Sequence, residues 1–554
     1  MRYSAKLLSQ TITQLCLAKG IDHVVISPGS RNAPLTIGFT EHPSFKNFSI
    51  VDERCAAFFA LGMAQQLKKP VALVCTSGSA LLNYYPAIAE AFYSDIPLVV
   101  LSADRPPHLI DLGDGQTIRQ ENVFSNHILY SANCRVADEE LPYNETEINT
   151  ALHIAINDKG PVHINVPFDE PLYGTVDLAS VQPESAAITP SSETITQDLN
   201  GLLSQWNSST RKMILVGVLD PKSIEQQWLD KLAEDESVIV LTETTSNLHH
   251  KKFFSCIDQL IAPIENNGLD ALQPEILITF GGMIVSKKVK AFLRKLPPKV
   301  HWHIDPKKAY DTFFALQEHV KVSPNHFLQN FLARTTVVKS DYQSHWLQVR
   351  SHRRERHKEY VQQIPFSDFT AYRQILASLP EACQLQISNS AAIRYAQLFE
   401  LRPSVKVFCN RGTSGIDGST STAIGAAVVV EEQVVFVSGD LSFFYDSNAL
   451  WNSYIPKNFR IVVVNNGGGG IFRILPGAKD TQHFSDYFET RHDLNASQLC
   501  EMFKIGYRSA ATSEELQKQL HEFYTPSESP QLLEIFTPYQ INDKVLLDYF
   551  KFIT

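Results

Sequence analysis

Two short apolar runs, each followed at once by polar residues and glycine, constrain the fold of this chain more than any other feature. Residues 434–437 lead into serine, glycine and Asp440, and residues 461–464 lead into two asparagines, ending at Asn466, and four glycines. A helix-like segment separates the two runs. Short apolar runs joined in this way are typical of neighbouring strands in a buried parallel sheet. We therefore expect Asp440 and Asn466 to lie side by side at the carboxyl ends of two strands, where open α/β sheets bind ligands.

The residue types at these strand ends favour a metal-bridged diphosphate site. The Asp440 carboxylate, the Asn466 amide oxygen and a carbonyl of the glycine loop are hard oxygen ligands, which suit Mg²⁺ when phosphate oxygens complete the coordination shell. A plain turn or a dinucleotide-binding loop is the alternative, because glycine clusters are common and a short motif alone is weak.

Strand-like apolar runs alternate with segments of helical spacing along most of the chain, which is typical of doubly wound parallel sheets. The runs form three groups, at residues 24–26, 49–51, 71–74, 98–101 and 162–166, then 213–218, 238–242, 276–280 and 300–304, then 385–388, 405–409, 434–437, 461–464 and 532–536. Residues 175–197 are rich in Ser, Thr and Pro and are interpreted as a linker. We predict an α/β protein of three tandem doubly wound domains at residues 1–175, 195–340 and 365–554.

Composition narrows the classes of function. The formal net charge of −10 argues against a nucleic-acid partner, so an anionic ligand would need a local cluster of Arg and Lys. No apolar run approaches the roughly 18 residues of a membrane helix, and the N-terminus is amphipathic, unlike a signal peptide. The eight cysteines are scattered without a C-x-x-C pair. These features predict a cytoplasmic protein without membrane insertion.

Glu53 is a second candidate for chemistry. It lies in the sequence Ile-Val-Asp-Glu53-Arg, between a strand-like run and a helix that begins with apolar residues. A carboxylate at such a junction faces the crevice above the sheet and can share a proton with a ligand nitrogen. The alternative is an acid that only stabilises the helix N-terminus through the macrodipole.

Further motifs come in a fixed order around these residues. G-D at Asp440, followed 26 residues later by Asn466, resembles the motif of thiamine diphosphate (ThDP) enzymes. The whole set resembles the ThDP-dependent 2-succinyl-5-enolpyruvyl-6-hydroxy-3-cyclohexene-1-carboxylate synthases of menaquinone biosynthesis. Its other members are I-S-P-G-S-R-N-A-P at residues 26–34, D-E-R at 52–54, T-S-G-S at 76–79, A-D-R-P at 103–106, Q-T-I-R-Q at 116–120, S-N-S at 388–390, N-R-G at 410–412 and S-G-I-D-G at 414–418.

The resemblance implies an activity, a fold type and an assembly. Family members have domains of the ThDP-enzyme type, decarboxylate 2-oxoglutarate and add the resulting succinyl-carbanion equivalent to isochorismate. ThDP, held with Mg²⁺ or Mn²⁺, lies between the first domain of one subunit and the last domain of another. The resemblance therefore implies a homodimer or homotetramer with active sites between subunits.

Individual residues take roles only through this resemblance. Glu53 matches the glutamate that hydrogen-bonds the aminopyrimidine, and Ile416 matches the apolar residue that supports the bent cofactor. The metal ligands match Asp440, Asn466 and the carbonyl of Gly468. Gly439 and Ile471 are the remaining residues expected to contact the cofactor.

The same resemblance implies a substrate site rich in guanidinium groups, which suit carboxylate ligands. Its catalytic members besides Glu53 are Ser30, Arg31 and Gln116. All positions expected to contact substrate are Ser30, Arg31, Thr76, Arg105, Gln116, Lys287, Ser390, Arg394, Arg411, Ile471 and Phe472.

Two positions depart from the family pattern, and two other functions compete. Leu441 stands where the family usually has glycine, and Gly467 stands where it more often has asparagine. A backbone oxygen can still bind metal in such a loop. One competing function is a ThDP carboligase of the acetolactate synthase type, which the motif arginines oppose. The other is a catalytically silent scaffold, which a glutamate at position 53 opposes.

Overall fold

The chain forms three sheets of parallel strands in succession, each covered by helices. The structure is a computed structural model that describes residues 2–187, 193–264, 268–475, 477, 479 and 481–554. Within these residues the sheets have six, five and six strands. The predicted fold class, three tandem doubly wound α/β domains, is confirmed, while the predicted domain boundaries stay predictions.

The first domain holds a six-stranded sheet and a small antiparallel ribbon that joins its two ends. Its strands are β1 (Tyr3–Ser4), β2 (His23–Ile26), β3 (Lys46–Ser49), β4 (Val71–Cys75), β5 (Leu98–Asp104), β6 (Tyr130–Asn133), β7 (Val162–Pro167) and β8 (Thr175–Val176). Its helices are α1 (Leu7–Ala18), α2 (Ala33–Thr40), α3 (Glu53–Leu67), α4 (Ser79–Asn83), α5 (Tyr85–Ser94) and α6 (Leu141–Asn157). The predicted linker, residues 175–197, begins with the two residues of β8, and its residues 188–192 lie outside the described residues.

The middle domain holds the five-stranded sheet. Its strands are β9 (Lys212–Val216), β10 (Val238–Thr242), β11 (Ile276–Phe280), β12 (Val300–Ile304) and β13 (Leu316–Val320). Its helices are α7 (Leu199–Ser208), α8 (Gln226–Glu234), α9 (Ile257–Ile261), α10 (Leu269–Leu272), α11 (Lys287–Lys295) and α12 (Pro324–Leu332). A charged helix of 22 residues, α13 (Tyr342–Gln363), leads to the last domain. None of the described helices is long and apolar enough to cross a bilayer.

The last domain holds the second six-stranded sheet. Its strands are β14 (Gln384–Ile387), β15 (Lys406–Phe408), β16 (Val434–Gly439), β17 (Arg460–Asn465), β18 (Gly506–Ala510) and β19 (Gln531–Phe536). Its helices are α14 (Asp368–Ser378), α15 (Ala391–Ala396), α16 (Ser419–Val428), α17 (Asp440–Tyr445), α18 (Ser497–Phe503), α19 (Ser513–Phe523) and α20 (Asn542–Phe552).

The three sheets share one strand order at their centres. The first sheet runs β3-β2-β4-β5-β7-β6, and the last runs β15-β14-β16-β17-β19-β18, which is the same order when strands are counted from the start of each sheet. The middle sheet runs β10-β9-β11-β12-β13. In each sheet the direction of winding therefore reverses between its first and third strands. Such a reversal opens a crevice at the carboxyl ends of the strands.

Two predicted elements have different bounds in the structure. The strand predicted at residues 49–51 is β3, which ends at Ser49 because the chain turns there towards the Asp52 cap of α3. The segment of helical spacing at residues 81–92, one of those between the predicted strands, contains two helices, α4 and α5. Pro86, in the first turn of α5, has no N–H to continue α4.

The first and last domains share a hydrophobic core through the crossing of α3 and α16. Residues of both sheets and both helices form one buried cluster. The helices touch through glycine: a Cβ on Gly62 would lie 2.0 Å from the Thr422 carbonyl oxygen, and one on Gly425 would lie 2.0 Å from that of Phe59. These contacts leave no room for a methyl group, so the crossing fixes the distance between the two domains.

Replacement of Gly62 by Ala should separate α3 from α16 and destabilise the chain by about 1–3 kcal/mol, the usual cost of overpacking. Denaturant unfolding, followed by circular dichroism, measures this change. The matched control is Gly115→Ala, since a Cβ there meets no atom within 4 Å. Equal stability of both variants would contradict the glycine-dependent crossing.

Candidate active site

Predicted residues of the first domain collect where its strand order reverses. Ser30 and Arg31 follow β2, Thr76 follows β4, and Arg105 follows β5. The loop that carries Ser30 rests directly on Thr76, because a Cβ on Gly29 would lie 2.2 Å from the Thr76 Cβ. The structure therefore brings these residues into one crevice.

Arg31 is buried and held by the end of β7. Its NH1 donates to the Phe168 carbonyl at 3.0 Å, and its NH2 forms an ion pair with Glu170 at 3.1 Å. The Nε of Arg31, the Oγ1 of Thr76 and the Nε of Arg105 are buried without hydrogen-bond partners. Since buried polar groups in proteins are nearly always paired, these three atoms mark a place for a polar ligand.

Gln116 reaches the same crevice through a constrained loop. Its φ is +56°, and its backbone lies 3.0 Å from the position of a Cβ on Gly78. The Gly78 amide donates to Gln120 Oε1 at 2.9 Å, and Gln120 Nε2 donates to Asn165 Oδ1 at 2.9 Å. Buried Gln120 and Asn165 thus support the loop that carries Gln116. Gln120 is the last residue of the Q-T-I-R-Q motif, but sequence analysis gave neither residue a role.

Glu53 begins α3, as its position in the sequence predicted. The preceding Asp52 caps the helix by accepting from the Cys55 amide at 3.2 Å. Glu53 is half-buried, and its charge contributes, after burial, to the raised pKa of the Cys75 thiol at the end of β4. No hydrogen bond to its carboxylate occurs within the described ranges, so Glu53 is free to bind a ligand.

Asp440 begins α17 at the end of β16 and is 3% exposed. Its Oδ1 accepts from the Leu441 amide at 2.7 Å. Its Oδ2 accepts from the amides of Gly467 and Gly468 at 2.8 and 3.0 Å. The carboxylate therefore bridges the ends of β16 and β17, as the strand pattern predicted.

Asn466 and the glycine loop lie beside Asp440. Asn466 Nδ2 donates to Asp368 at 2.9 Å, so its Oδ1 is the atom available to a ligand. Gly467 and Gly468 have φ of +75° and +150°, which glycine adopts readily and other residues do not. Leu441, which stands where the family usually has glycine, takes part in this loop through its backbone amide, which donates to Asp440 Oδ1.

Three predicted substrate residues lie at the ends of β14 and β15. Ser390, with φ +65°, directly precedes α15, and its carbonyl accepts from Arg394 NH1 at 2.8 Å. Arg411 NH1 donates to Asn389 Oδ1 at 2.6 Å, while its Nε is buried without a partner. Burial lowers the pKa of Arg394, and the nearby Arg411 lowers it further. Two close guanidinium groups of this kind attract an anion.

The remaining predicted residues lie on other elements of the middle and last domains. The Ile416 carbonyl accepts from Ser442 Oγ at 2.7 Å, which places Ile416 beside α17. Ile471 and Phe472 lie half-buried in the 3-10 helix Gly470–Ile474, after the glycine loop. Gly439 precedes Asp440, and a Cβ on it would meet no atom within 4 Å. Lys287 is the exposed first residue of α11.

The predicted residues thus form two separate sets on each chain. Within the part of the chain that the structure describes, no hydrogen bond or ion pair joins the first-domain set to the set on the middle and last domains. A cavity of about 330 Å³ lies where the three domains meet, but among the predicted residues only Arg411 lines it. The cavity is therefore not the crevice that either set forms.

Three supporting residues had no signal in the sequence. His492 Nε2 lies 3.4 Å from Asp440 Oδ2, and this contact raises the pKa of His492. Asp368 orients Asn466, and burial raises the pKa of Asp368 to about 6. Glu90 accepts from the Gly412 and Thr413 amides, both at 2.7 Å. All three are far in sequence from the residues they support, so only the fold reveals them.

Family comparisons match all three domains in order. The N-terminal TPP binding domain of thiamine pyrophosphate enzymes matches residues 7–127, where thiamine pyrophosphate is another name for ThDP. The middle domain of thiamine pyrophosphate enzymes matches residues 189–387. The C-terminal TPP binding domain matches residues 390–535. ThDP is thus the cofactor that both outer domains are built to bind.

Whole-length relatives narrow the family further. A protein of Flavobacterium johnsoniae is 56% identical over 556 residues, which cover 100% of both chains. One of Christiangramia forsetii is also 56% identical over 100% of both chains, and one of Porphyromonas gingivalis is 36% identical over 100% of this chain and 98% of its own. All three are named 2-succinyl-5-enolpyruvyl-6-hydroxy-3-cyclohexene-1-carboxylate synthase. These relatives confirm the resemblance found in the motifs. The chain belongs to the family of ThDP-dependent 2-succinyl-5-enolpyruvyl-6-hydroxy-3-cyclohexene-1-carboxylate synthases.

Proposed function

We infer that this chain decarboxylates 2-oxoglutarate and joins the remaining four-carbon unit to isochorismate. The products are CO₂ and 2-succinyl-5-enolpyruvyl-6-hydroxy-3-cyclohexene-1-carboxylate, a step of menaquinone biosynthesis. Identity of 56% over the full length to synthases of this name carries the inference. It favours this reaction over that of an acetolactate synthase. Free buried thiols are consistent with a cytoplasmic enzyme.

The protein's task in this reaction is to bind, orient and exclude water. ThDP, when bound, supplies the electron sink for decarboxylation. Both substrates carry two carboxylates, and the two residue sets offer the buried, unpaired donors Arg31 Nε, Arg105 Nε and Arg411 Nε. We assign Arg31, Arg105, Arg394 and Arg411 to substrate carboxylates, with Lys287 and Ser390 beside them.

We assign a divalent cation, Mg²⁺ or Mn²⁺, to the Asp440 site. One carboxylate, one amide oxygen and one carbonyl, from Asp440, Asn466 and Gly468, are the hard donors that Mg²⁺ accepts together with phosphate oxygens. Among the described residues no group of three or more His, Cys, Asp or Glu could hold a metal instead. The donor set therefore fits a cation that is bound jointly with a diphosphate.

We further propose that two chains complete each active site. The support is the separation of the two residue sets, together with exposed apolar side chains beside Glu53. Tyr445 is 53% and Trp451 is 56% exposed, and both adjoin segments that contact α3: Tyr445 O accepts from Arg54 at 3.0 Å, and Asn448 donates to Asp52 at 2.8 Å. A second copy of the chain would cover these side chains. The Asp440 site of the second copy would then lie next to Glu53 of the first.

Incubation of the protein with ThDP, Mg²⁺ and 2-oxoglutarate should release CO₂ rapidly only when isochorismate is present, with a new adduct detected by mass spectrometry. Glu53→Gln should slow this turnover by at least about 100-fold, since a positioned acid–base group contributes that much. Asp52→Asn, which changes the neighbouring acid, is the matched control. In a parallel incubation with pyruvate in place of 2-oxoglutarate, pyruvate consumption without any isochorismate adduct would instead favour the acetolactate-type reaction.

Asp440→Ala should weaken the binding of Mg²⁺ and ThDP together, because one ligand serves both. Titration calorimetry with ThDP, at fixed and at zero Mg²⁺, measures this coupling. The control is Asp446→Asn, a buried acid that binds Ser421 and lies beyond the end of α17. Unchanged ThDP affinity in Asp440→Ala would exclude the metal assignment.

Hybrid dimers of a Glu53→Gln chain and an Asp440→Ala chain should recover about half of the wild-type rate, because one of their two sites is then intact. Two affinity tags isolate the hybrids after co-expression. Each variant alone, purified in the same way, is the control and should stay nearly inactive. Hybrids as inactive as the parents would mean that each site lies within one chain.

A further inference from the structure

The middle domain contributes a buried acid that supports the expected substrate lysine. Glu243 follows β10 and is 3% exposed. Its carboxylate accepts from the Val285 and Ser286 amides, both at 2.7 Å. Ser286 caps α11 by accepting from the Val289 amide at 3.1 Å, and Lys287 is the first residue of that helix. Glu243 therefore fixes the turn that carries Lys287.

Ser286 also connects Glu243 to a second acid. Its hydroxyl donates to the Asp258 carboxylate, while its amide donates to Glu243. Burial raises the pKa of Asp258, and the positive charges of Lys288 and Arg394 oppose this shift. Asp258 is thus a counter-charge for Arg394 that lies on the middle domain.

Glu243 is in the same way a counter-charge for Arg411. Burial raises the pKa of Glu243 to about 7, and among the charged groups Arg411 opposes the shift while Asp258 adds to it. Lys290 of α11 also interacts with Glu243. Each of the two neighbouring arginines expected to bind substrate therefore has an acid of the middle domain close by. Such counter-charges keep two like charges together when no substrate is bound.

The other end of the same segment holds the strand that leads to Arg411. Asn247 has φ +51° and pairs with both backbone groups of Val407 in β15: Oδ1 accepts at 2.8 Å and Nδ2 donates at 2.9 Å. Between the two ends, the Glu243 amide donates to Ser246 Oγ at 2.9 Å, and that hydroxyl donates to the Val216 carbonyl at 2.8 Å. The segment is a short rigid connector with a contact at each end.

We propose that residues 243–247, named here the connector, position Lys287 and Arg411 relative to each other across the boundary between the middle and last domains. Glu243 and Asn247 are positioning residues, since neither is assigned to a substrate. The proposal rests on the proposed function and deepens it, because it adds the element that sets the geometry of the carboxylate site.

Asn247→Gly tests the connector without a change in charge, and glycine keeps the positive φ. Loss of the two bonds to Val407 should raise the KM of at least one substrate about tenfold, while kcat stays within about twofold. Glu243→Gln should also raise KM, because its NH₂ group faces backbone N–H donors. A lower KM in Glu243→Gln would show that the acid is only a repulsive charge for the anionic substrate and would overturn its positioning role.

A pH profile separates this role from plain structural support. In the wild type, KM should rise as the pH falls through about 7, because Glu243 then becomes neutral. A neutral Glu243 holds the Val285 and Ser286 amides less strongly, and it no longer balances the charges of Arg411 and Lys290, with Asp258 as the remaining acid nearby. Glu243→Gln should already have the higher KM and lack this dependence. Parallel profiles of the two proteins would count against the proposal.

Asp235→Asn is the matched control, because Asp235 is a buried acid of the same domain that pairs with Lys212 at 3.0 Å. It should lower stability and leave KM unchanged; an equal rise in KM would mean that any loss of stability has this effect. Hydrogen exchange of the amides at residues 407–413 gives a readout without activity, and Asn247→Gly should accelerate it. An inactive wild type would refute the proposed function alone, whereas unchanged exchange in Asn247→Gly would refute the connector.

Discussion

Close packing between α3 and α16 is the contact on which the rest of the structure depends. Gly62 and Gly425 let the two helices approach to backbone distance, and one hydrophobic core then extends through the first and last domains. The domains are consequently held as a fixed pair. Each crevice therefore has a fixed place on the chain. Among the described residues no hydrogen bond or ion pair joins Glu53 to Asp440, and a second chain is proposed to complete the site.

Charge within the two crevices is balanced by acids that are not among the residues assigned to substrate. Arg31 is held by Glu170, Arg394 lies near Asp258, and Arg411 lies near Glu243. Removing a guanidinium group from water is costly unless an acid compensates for it. Because these acids come from outside the crevices, the crevices themselves keep unpaired donors for an anionic ligand. The net charge of −10 is therefore compatible with a local site for dianions.

Sequence reasoning predicted what apolar patterns and motifs encode. Strands β10, β11 and β12 of the middle domain were predicted at their observed bounds. Strands β10 and β11 are buried and almost entirely apolar, and β12 keeps buried apolar residues beside its two histidines. The edge strands β6, β13 and β18 were missed, since their polar residues and partial exposure give no apolar run. The motifs located Asp440 and Asn466, whereas His492 and Glu243 could not be found, because tertiary contacts alone bring them to the site.

The shared strand order of the first and last domains has a further consequence. Two copies of one topology present the same kind of crevice, so the two ends of a single elongated ligand can be bound by the same architecture used twice. The residues assigned to chemistry do not follow this symmetry: Glu53 begins the helix after the second strand of the first sheet, whereas Asp440 begins the helix after the third strand of the last sheet. An approximate internal symmetry of the polypeptide thereby serves a ligand that has no symmetry of its own.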